Sequence, residues 1–207
     1  MTINILFFEL IQVAIGARIC LSYAPSPDEW GELYAMAKKQ SLVGVCFAGV
    51  QKLQTQKQEL PEMLYLTWMG MAAKIQQRNE VVNRQCTELD KRLKSEGYSY
   101  CILKGQGIAS LYDEHLRGLR QSGDIDVWIL QNKGETKKER IDRVVRYAKG
   151  FDPNSHFSGK HIDLSVFSDT EVELHVTPAK MNCPKRNRWL QKWFQKVSDG
   201  FKSIVLP

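Results

Sequence analysis

The stretch from Leu103 to Ile129, LKGQGIASLYDEHLRGLRQSGDIDVWI, decides the fold, because the chain changes its periodicity across it. Near its end apolar residues alternate with polar ones. Ile125, Val127 and Ile129 point one way from an extended backbone, and Asp124, Asp126 and Trp128 the other. The spacing predicts a strand over 124–130. At the start of the stretch, Tyr98 to Leu103 reads as another strand, and Gln106 to Tyr112 as a short helix.

Upstream the pattern is helical. Phe7, Leu10, Ile11 and Ala14 share one stripe, and Ser26-Pro27-Asp28-Glu29 is a helix start, with Ser26 as cap, Pro27 in the first turn and Glu29 placed to close a capping box. Trp30, Leu33, Tyr34 and Ala37 follow on one face. Ser41 to Leu53 reads as an apolar helix, and Pro61 to Glu96 as one long helix or two in line, stopped by Gly97.

Downstream, Lys137 to Lys149 is a basic amphipathic helix with Ile141, Val144, Val145 and Ala148 inside and its cations solvated. Lys160 to Phe167 and Glu171 to Val176 read as a hairpin around Ser168-Asp169-Thr170. In it Ile162, Leu164, Val166, Val172, Leu174 and Val176 enter the core, leaving His161, Asp163, Ser165, Glu171, Glu173 and His175 on the other face. A helix follows from Pro184, with Trp189 and Trp193 as its apolar edge. The expected fold is therefore α+β: a helical N-terminal region over 1–96, a small mixed β-sheet flanked by helices over 97–180, and a basic C-terminal helix over 181–207.

Composition narrows the class without choosing a function. Hydrophobic residues at 43% and charged residues at 25% of 207 exclude wholesale disorder. The formal charge of +6 resides in the last segment, where Lys180, Lys185, Arg186, Arg188, Lys192, Lys196 and Lys202 face Asp199 alone. Such a tail suits a solvated helix face or an anionic partner such as RNA. The five cysteines are odd in number and contain no C-x-x-C pair, which excludes a disulfide framework or a zinc ribbon and places the chain in a reducing compartment. His156 and His161 flank a loop with no cysteine beside them, so they are not read as zinc ligands. No run approaches the ~20 apolar residues that cross a bilayer, and Ile3 to Ala17 lacks a basic leader and contains Glu9. A cytoplasmic protein with no membrane partner is expected.

The chemistry is concentrated on the non-core faces of the strands. Two aspartates at i and i+2 repel each other and are poor strand formers, so their placement calls for a cation. A divalent metal supplies one, since magnesium takes carboxylate oxygens together with substrate phosphates. Two ions roughly 4 Å apart can serve an in-line phosphoryl displacement. The turn Leu103-Lys104-Gly105-Gln106-Gly107 adds phosphate donors: glycine permits close backbone approach, the new helix offers unpaired N–H groups, and Lys104 brings charge. Arg120, four residues before Asp124, is expected to reach a phosphate. The loop G-x-x-x-x-G-K-[ST] is absent from the chain.

These pieces, in this order, resemble the bacterial family of uncharacterised nucleotidyltransferases, within the polymerase-beta-like nucleotidyltransferase superfamily. That family reads approximately L-K-G, a short helix ending in L-Y, then R-x-x-G-D-I-D. The upstream AKKQSLVGVCFAGVQKL and Gln76-Gln77-Arg78-Asn79 are similar to its helical N-terminal region, and Val172-Glu173-Leu174-His175 to its third acidic strand. The resemblance implies that Asp124, Asp126 and Glu173 are catalytic and hold two Mg²⁺ or Mn²⁺ ions, with Glu173 orienting metal or accepting the acceptor's proton. It also implies that Lys104, Gly105, Gln106, Arg120 and Gly123 face the phosphates of a nucleoside triphosphate. His175, on the face of Glu173, is a further candidate, and Asp163 is the rival third carboxylate. The implied reaction moves a nucleoside monophosphate to a hydroxyl of RNA, protein or a small molecule. Two alternatives stand beside it: a noncatalytic nucleotide- or metal-binding remnant of the fold, and a nucleic-acid-binding module using the basic tail. Relatives continue through further helices beyond the position of Pro207, so the chain is expected to be a shortened form.

Overall fold

A computed structural model describes residues 3–54 and 60–198. The end of the basic tail, including Asp199 and Lys202, lies outside the described residues. Helices α1 (Ile3–Ala14), α2 (Pro27–Lys39), α3 (Val43–Gln54) and α4 (Glu62–Ser95) precede strand β1 (Tyr100–Leu103). Short helices α5 (Lys104–Ala109) and α6 (Glu114–Arg117) lead to β2 (Ile125–Ile129), and α7 (Lys137–Ala148) to β3 (His161–Asp163), β4 (Val172–His175) and α8 (Pro184–Ser198). The protein is α+β, as the sequence predicts. Among the described residues no helix is long and apolar enough to cross a membrane.

The chain divides into two compact units. One comprises the chain up to Val81 together with Leu111–Ser122; the other comprises Val82–Ser110 and the chain from Gly123 onward.

In the first unit, apolar stripes on α1, α2 and α3 meet the first part of α4. Leu6, Leu10, Trp30, Leu33, Phe47, Val50 and Trp68 are buried together, each fully buried side chain of this size contributing roughly 1.5–3 kcal/mol. The indole of Trp68 donates to the Val43 carbonyl at 2.9 Å, so its polar edge is satisfied. Helix α2 begins as predicted, with Ser26 and Glu29 capping each other's backbone N–H. Glu9, which interrupts the apolar stripe of α1, is itself buried and binds Arg18 at 3.1 Å and the Ser22 N–H at 2.8 Å, tying the following loop to the helix. Asn79 does the same for residues 118–122: its amide nitrogen reaches the carbonyls of Gly118 at 2.9 Å and Arg120 at 2.6 Å, and its oxygen accepts from Ser122.

The second unit is a four-stranded mixed sheet in the order β1-β2-β4-β3. β2 and β4 run parallel, the outer pairs antiparallel. Parallel neighbours need a long crossover, and α7 lies in it, opened by a capping box between Thr136 and Glu139. Ile125, Val127 and Ile129 join Leu174, Ile162, Val144, Leu89 and Leu93 in one core. Every residue of β2 is buried, because it is paired on both edges and covered on both faces.

Three local readings change. The strands of the predicted hairpin are shorter than expected, since after Asp163 the chain turns on itself, Val166 N–H donating to Leu164 O. Arg140 and Arg143 of α7 are not solvated: Arg140 is 6% exposed, and Arg143 stacks over the Tyr98 ring at 4.7 Å while it binds Glu135. Trp189 and Trp193 stay largely exposed, and it is Phe194 that packs on the sheet, 5.6 Å from the Trp128 ring.

Candidate metal and phosphate site

Asp126 occupies the second position of the central strand, with its side chain 4% exposed. A buried carboxylate needs partners, and two strands supply them. Across the antiparallel pair Asp126 lies opposite Leu103, so the next residue, Lys104, brings its ammonium to 2.8 Å from Asp126 Oδ1. Across the parallel pair Asp126 lies opposite Glu173, and His175 Nε2 reaches the same oxygen at 2.8 Å.

Asp124 stands just before β2 and is exposed. One carboxylate oxygen from each of Asp124, Asp126 and Glu173 lies within 4.8 Å of the others. At an effective dielectric near 20, two unit charges about 5 Å apart repel by about 3 kcal/mol. Such a trio can hold a metal ion. The donors are hard carboxylate oxygens from two adjacent strands, which fit Mg²⁺ or Mn²⁺.

The turn that delivers Lys104 is unusual in its backbone. Lys104 has φ +45° and Gly105 φ +30° with ψ −118°. A non-glycine residue in this region costs about 1–2 kcal/mol, and the bond to Asp126 holds it there. The same bond, the neighbouring carboxylates assisting, raises the Lys104 pKa above its ordinary 10.5. Gly107 is required for a different reason, because a Cβ there would lie 2.2 Å from the Ile102 carbonyl oxygen. Glycine thus lets α5 fold directly back onto β1.

The other predicted residues fall in distinct places. Gln106 is buried and its side-chain amide donates to Asn83 at 2.7 Å, so it points into the protein. Arg120 belongs to the first unit, where its carbonyl is held by Asn79. Gly123 is in the second unit, with open space where a Cβ would be. Asp163 pairs in register with Glu173, but its side chain is 72% exposed and lies 3.3 Å from His161 Nε2, outside the Asp124-Asp126-Glu173 group.

His161, set aside as a metal ligand on the sequence because no cysteine stands beside it, lies next to the site. Its Nδ1 lies 3.1 Å from Glu173 Oε2, and His175 Nε2 lies 3.1 Å from the same atom. His161, Glu173 and His175 thereby form a second group of potential metal ligands sharing Glu173 with the first. The signal was present in the alternation of the hairpin, which sets His161 and His175 on one face; the register then makes them direct cross-strand partners. A cavity of about 670 Å³ opens beside this edge, lined by His161, Asp163, Asp169, Glu171 and Glu173 among others.

A family model described as "Uncharacterised nucleotidyltransferase" matches residues 26–203. No curated protein and no solved structure gives a significant match. The family match takes in most of both units, the strained Lys104 turn and all three clustered carboxylates, and with it the chain belongs to the uncharacterised nucleotidyltransferase family.

Proposed function

We propose that the protein is a metal-dependent nucleotidyltransferase that moves a nucleoside monophosphate from a nucleoside triphosphate to an acceptor hydroxyl. The observation that carries this reading is the convergence of Asp124, Asp126 and Glu173 within 4.8 Å beside the Lys104 ammonium. An acceptor oxygen bonds to the α-phosphorus, the bond from that phosphorus to the β-bridging oxygen breaks, and pyrophosphate leaves with the electron pair. Two Mg²⁺ or Mn²⁺ ions held by the three carboxylates would neutralise phosphate charge and lower the pKa of the attacking hydroxyl.

The protein's own part is positioning and charge. Asp126 is fixed by burial and by two partners, whereas exposed Asp124 meets the substrate side. Glu173, at the shared edge of the two ligand groups, orients the site or takes the acceptor's proton. Lys104 has a side chain 62% exposed beside its bond to Asp126, so the other N–H groups of its ammonium are open to a phosphate oxygen. With the Gln106 side chain committed to Asn83, Gly105 and Gln106 contribute backbone N–H groups. Roles for Arg120 and Gly123 rest on the R-x-x-G-D-I-D order of the sequence. The acceptor is a hydroxyl of RNA, of a protein or of a small molecule.

Incubation of the protein with Mg²⁺ or Mn²⁺, cell extract and triphosphate labelled at either the α- or the γ-phosphate tests this directly. Label should pass to an acceptor from the α-position and not from the γ-position. Triphosphate binding without transfer would instead favour a noncatalytic relative of the fold.

A further inference from the structure

His175 Nε2 lies 2.8 Å from Asp126 Oδ1 and 3.1 Å from Glu173 Oε2, and His161 Nδ1 lies 3.1 Å from that same glutamate oxygen. A ring nitrogen carries either one hydrogen or one lone pair. A single N–H at His175 can point well at only one of its two carboxylate neighbours. Donors gathered around a common ion face no such limit: two atoms each about 2.1 Å from an ion stand roughly 3.0–3.4 Å apart for right-angled to tetrahedral coordination. The two separations to Glu173 Oε2, 3.1 Å each, fall in that range. The side chains are also held for the purpose, with His175 12% and His161 22% exposed and both anchored on paired strands.

We infer that His161, His175 and Glu173 form a mixed nitrogen–oxygen site for a borderline divalent ion such as Mn²⁺, Co²⁺ or Zn²⁺, selective against Mg²⁺. Imidazole suits transition ions, whereas Mg²⁺ keeps to oxygen donors and water. The catalytic meaning of the site rests on the proposed nucleotidyltransferase reading: Glu173 is shared with the Asp124-Asp126 group, so a transition ion here would adjoin the carboxylate-held metal position.

Cobalt binding to the whole protein tests the site without turnover. Wild-type protein titrated with Co²⁺ should develop visible d–d absorption that millimolar Mg²⁺ does not remove. Replacing both imidazoles (H161N with H175N) should weaken Co²⁺ by more than the roughly 10–100-fold lost with an outer-sphere partner, in protein shown by circular dichroism to be folded. D124N, outside this donor set, should retain the spectrum. A double variant that binds Co²⁺ as tightly as wild type, or Co²⁺ displaced by an equal concentration of Mg²⁺, overturns the inference. If the double variant fails to fold, Co²⁺-loaded wild type decides alone: shifted imidazole N–H proton resonances are expected, and their absence contradicts the site. Loss of nucleotidyl transfer is not read in any of these arms, so the inference and the proposed activity can fail separately.

Discussion

Lys104 donates its 2.8 Å hydrogen bond to Asp126 from a backbone at φ +45°, so a strained turn and a buried carboxylate hold each other in place. Lys104→Met should reduce nucleotidyl transfer by about 10²-fold, the scale on which a transition-state donor is lost, and steady-state kinetics would measure it. The pair also sets an alkaline limit. Because the folded pKa of Lys104 is raised above 10.5, its contribution is complete below that pH and is lost as pH climbs through the folded value. The Tm gap between wild type and Lys104→Met should stay constant from neutral pH to about 10 and close above it.

Gly107→Ala should destabilise the second unit. The new Cβ would meet the Ile102 carbonyl oxygen at 2.2 Å, and backbone cannot move as a side-chain tip can. A cost of roughly 1–3 kcal/mol follows from overpacking of this kind. Denaturant melts would record it, and an unchanged midpoint would mean that α5 is not seated against β1.

Acid sensitivity should trace to Glu135. Arg143 binds it at 2.7 Å, and that bond holds its carboxyl below the ordinary 4.5. Its stabilisation is present above 4.5 and lost as pH falls through the lower folded value. Glu135→Gln should therefore cost on the order of 1–3 kcal/mol near neutral pH and flatten the acid limb, as read by urea midpoints against pH.

The thiols should separate by unit. Burial pushes both Cys46 and Cys86 up to about 12, while Cys183 is exposed. Since the thiolate is the reactive form, a thiol reagent at neutral pH should label Cys183 in native protein and spare the two buried cysteines. Raising urea should then release Cys46 and Cys86, each reporting the opening of its own unit.

Much of the fold was legible because it follows from periodicity and end signals. The Ser26 capping box, the stop at Gly97 and the alternation through Ile125, Val127 and Ile129 are local, and each appears where the spacing puts it. What was not legible depends on pairing. α6 carries no stripe long enough to announce it, and β3 is cut short by a turn that its apolar alternation does not contain. The inward placement of Arg143 is decided by Tyr98 and Glu135, and Arg140 donates to the Ile129 carbonyl at 3.4 Å, partners that no helical pattern announces. In the site the residue types were readable but not their partners. Only the register tells that Leu103 opposite Asp126 delivers Lys104 to a carboxylate, or that His161 meets Glu173.

The central claim is that the clustered carboxylates Asp124, Asp126 and Glu173 carry nucleotidyl transfer. The most direct measurement is transfer of α-labelled triphosphate with Mg²⁺ or Mn²⁺ and extract by wild type and by the Asp124→Asn, Asp126→Asn double variant, both shown to be folded by circular dichroism at the assay temperature. Transfer by wild type and none above background by the variant is the predicted result. Equal label transfer by the two proteins would contradict the account.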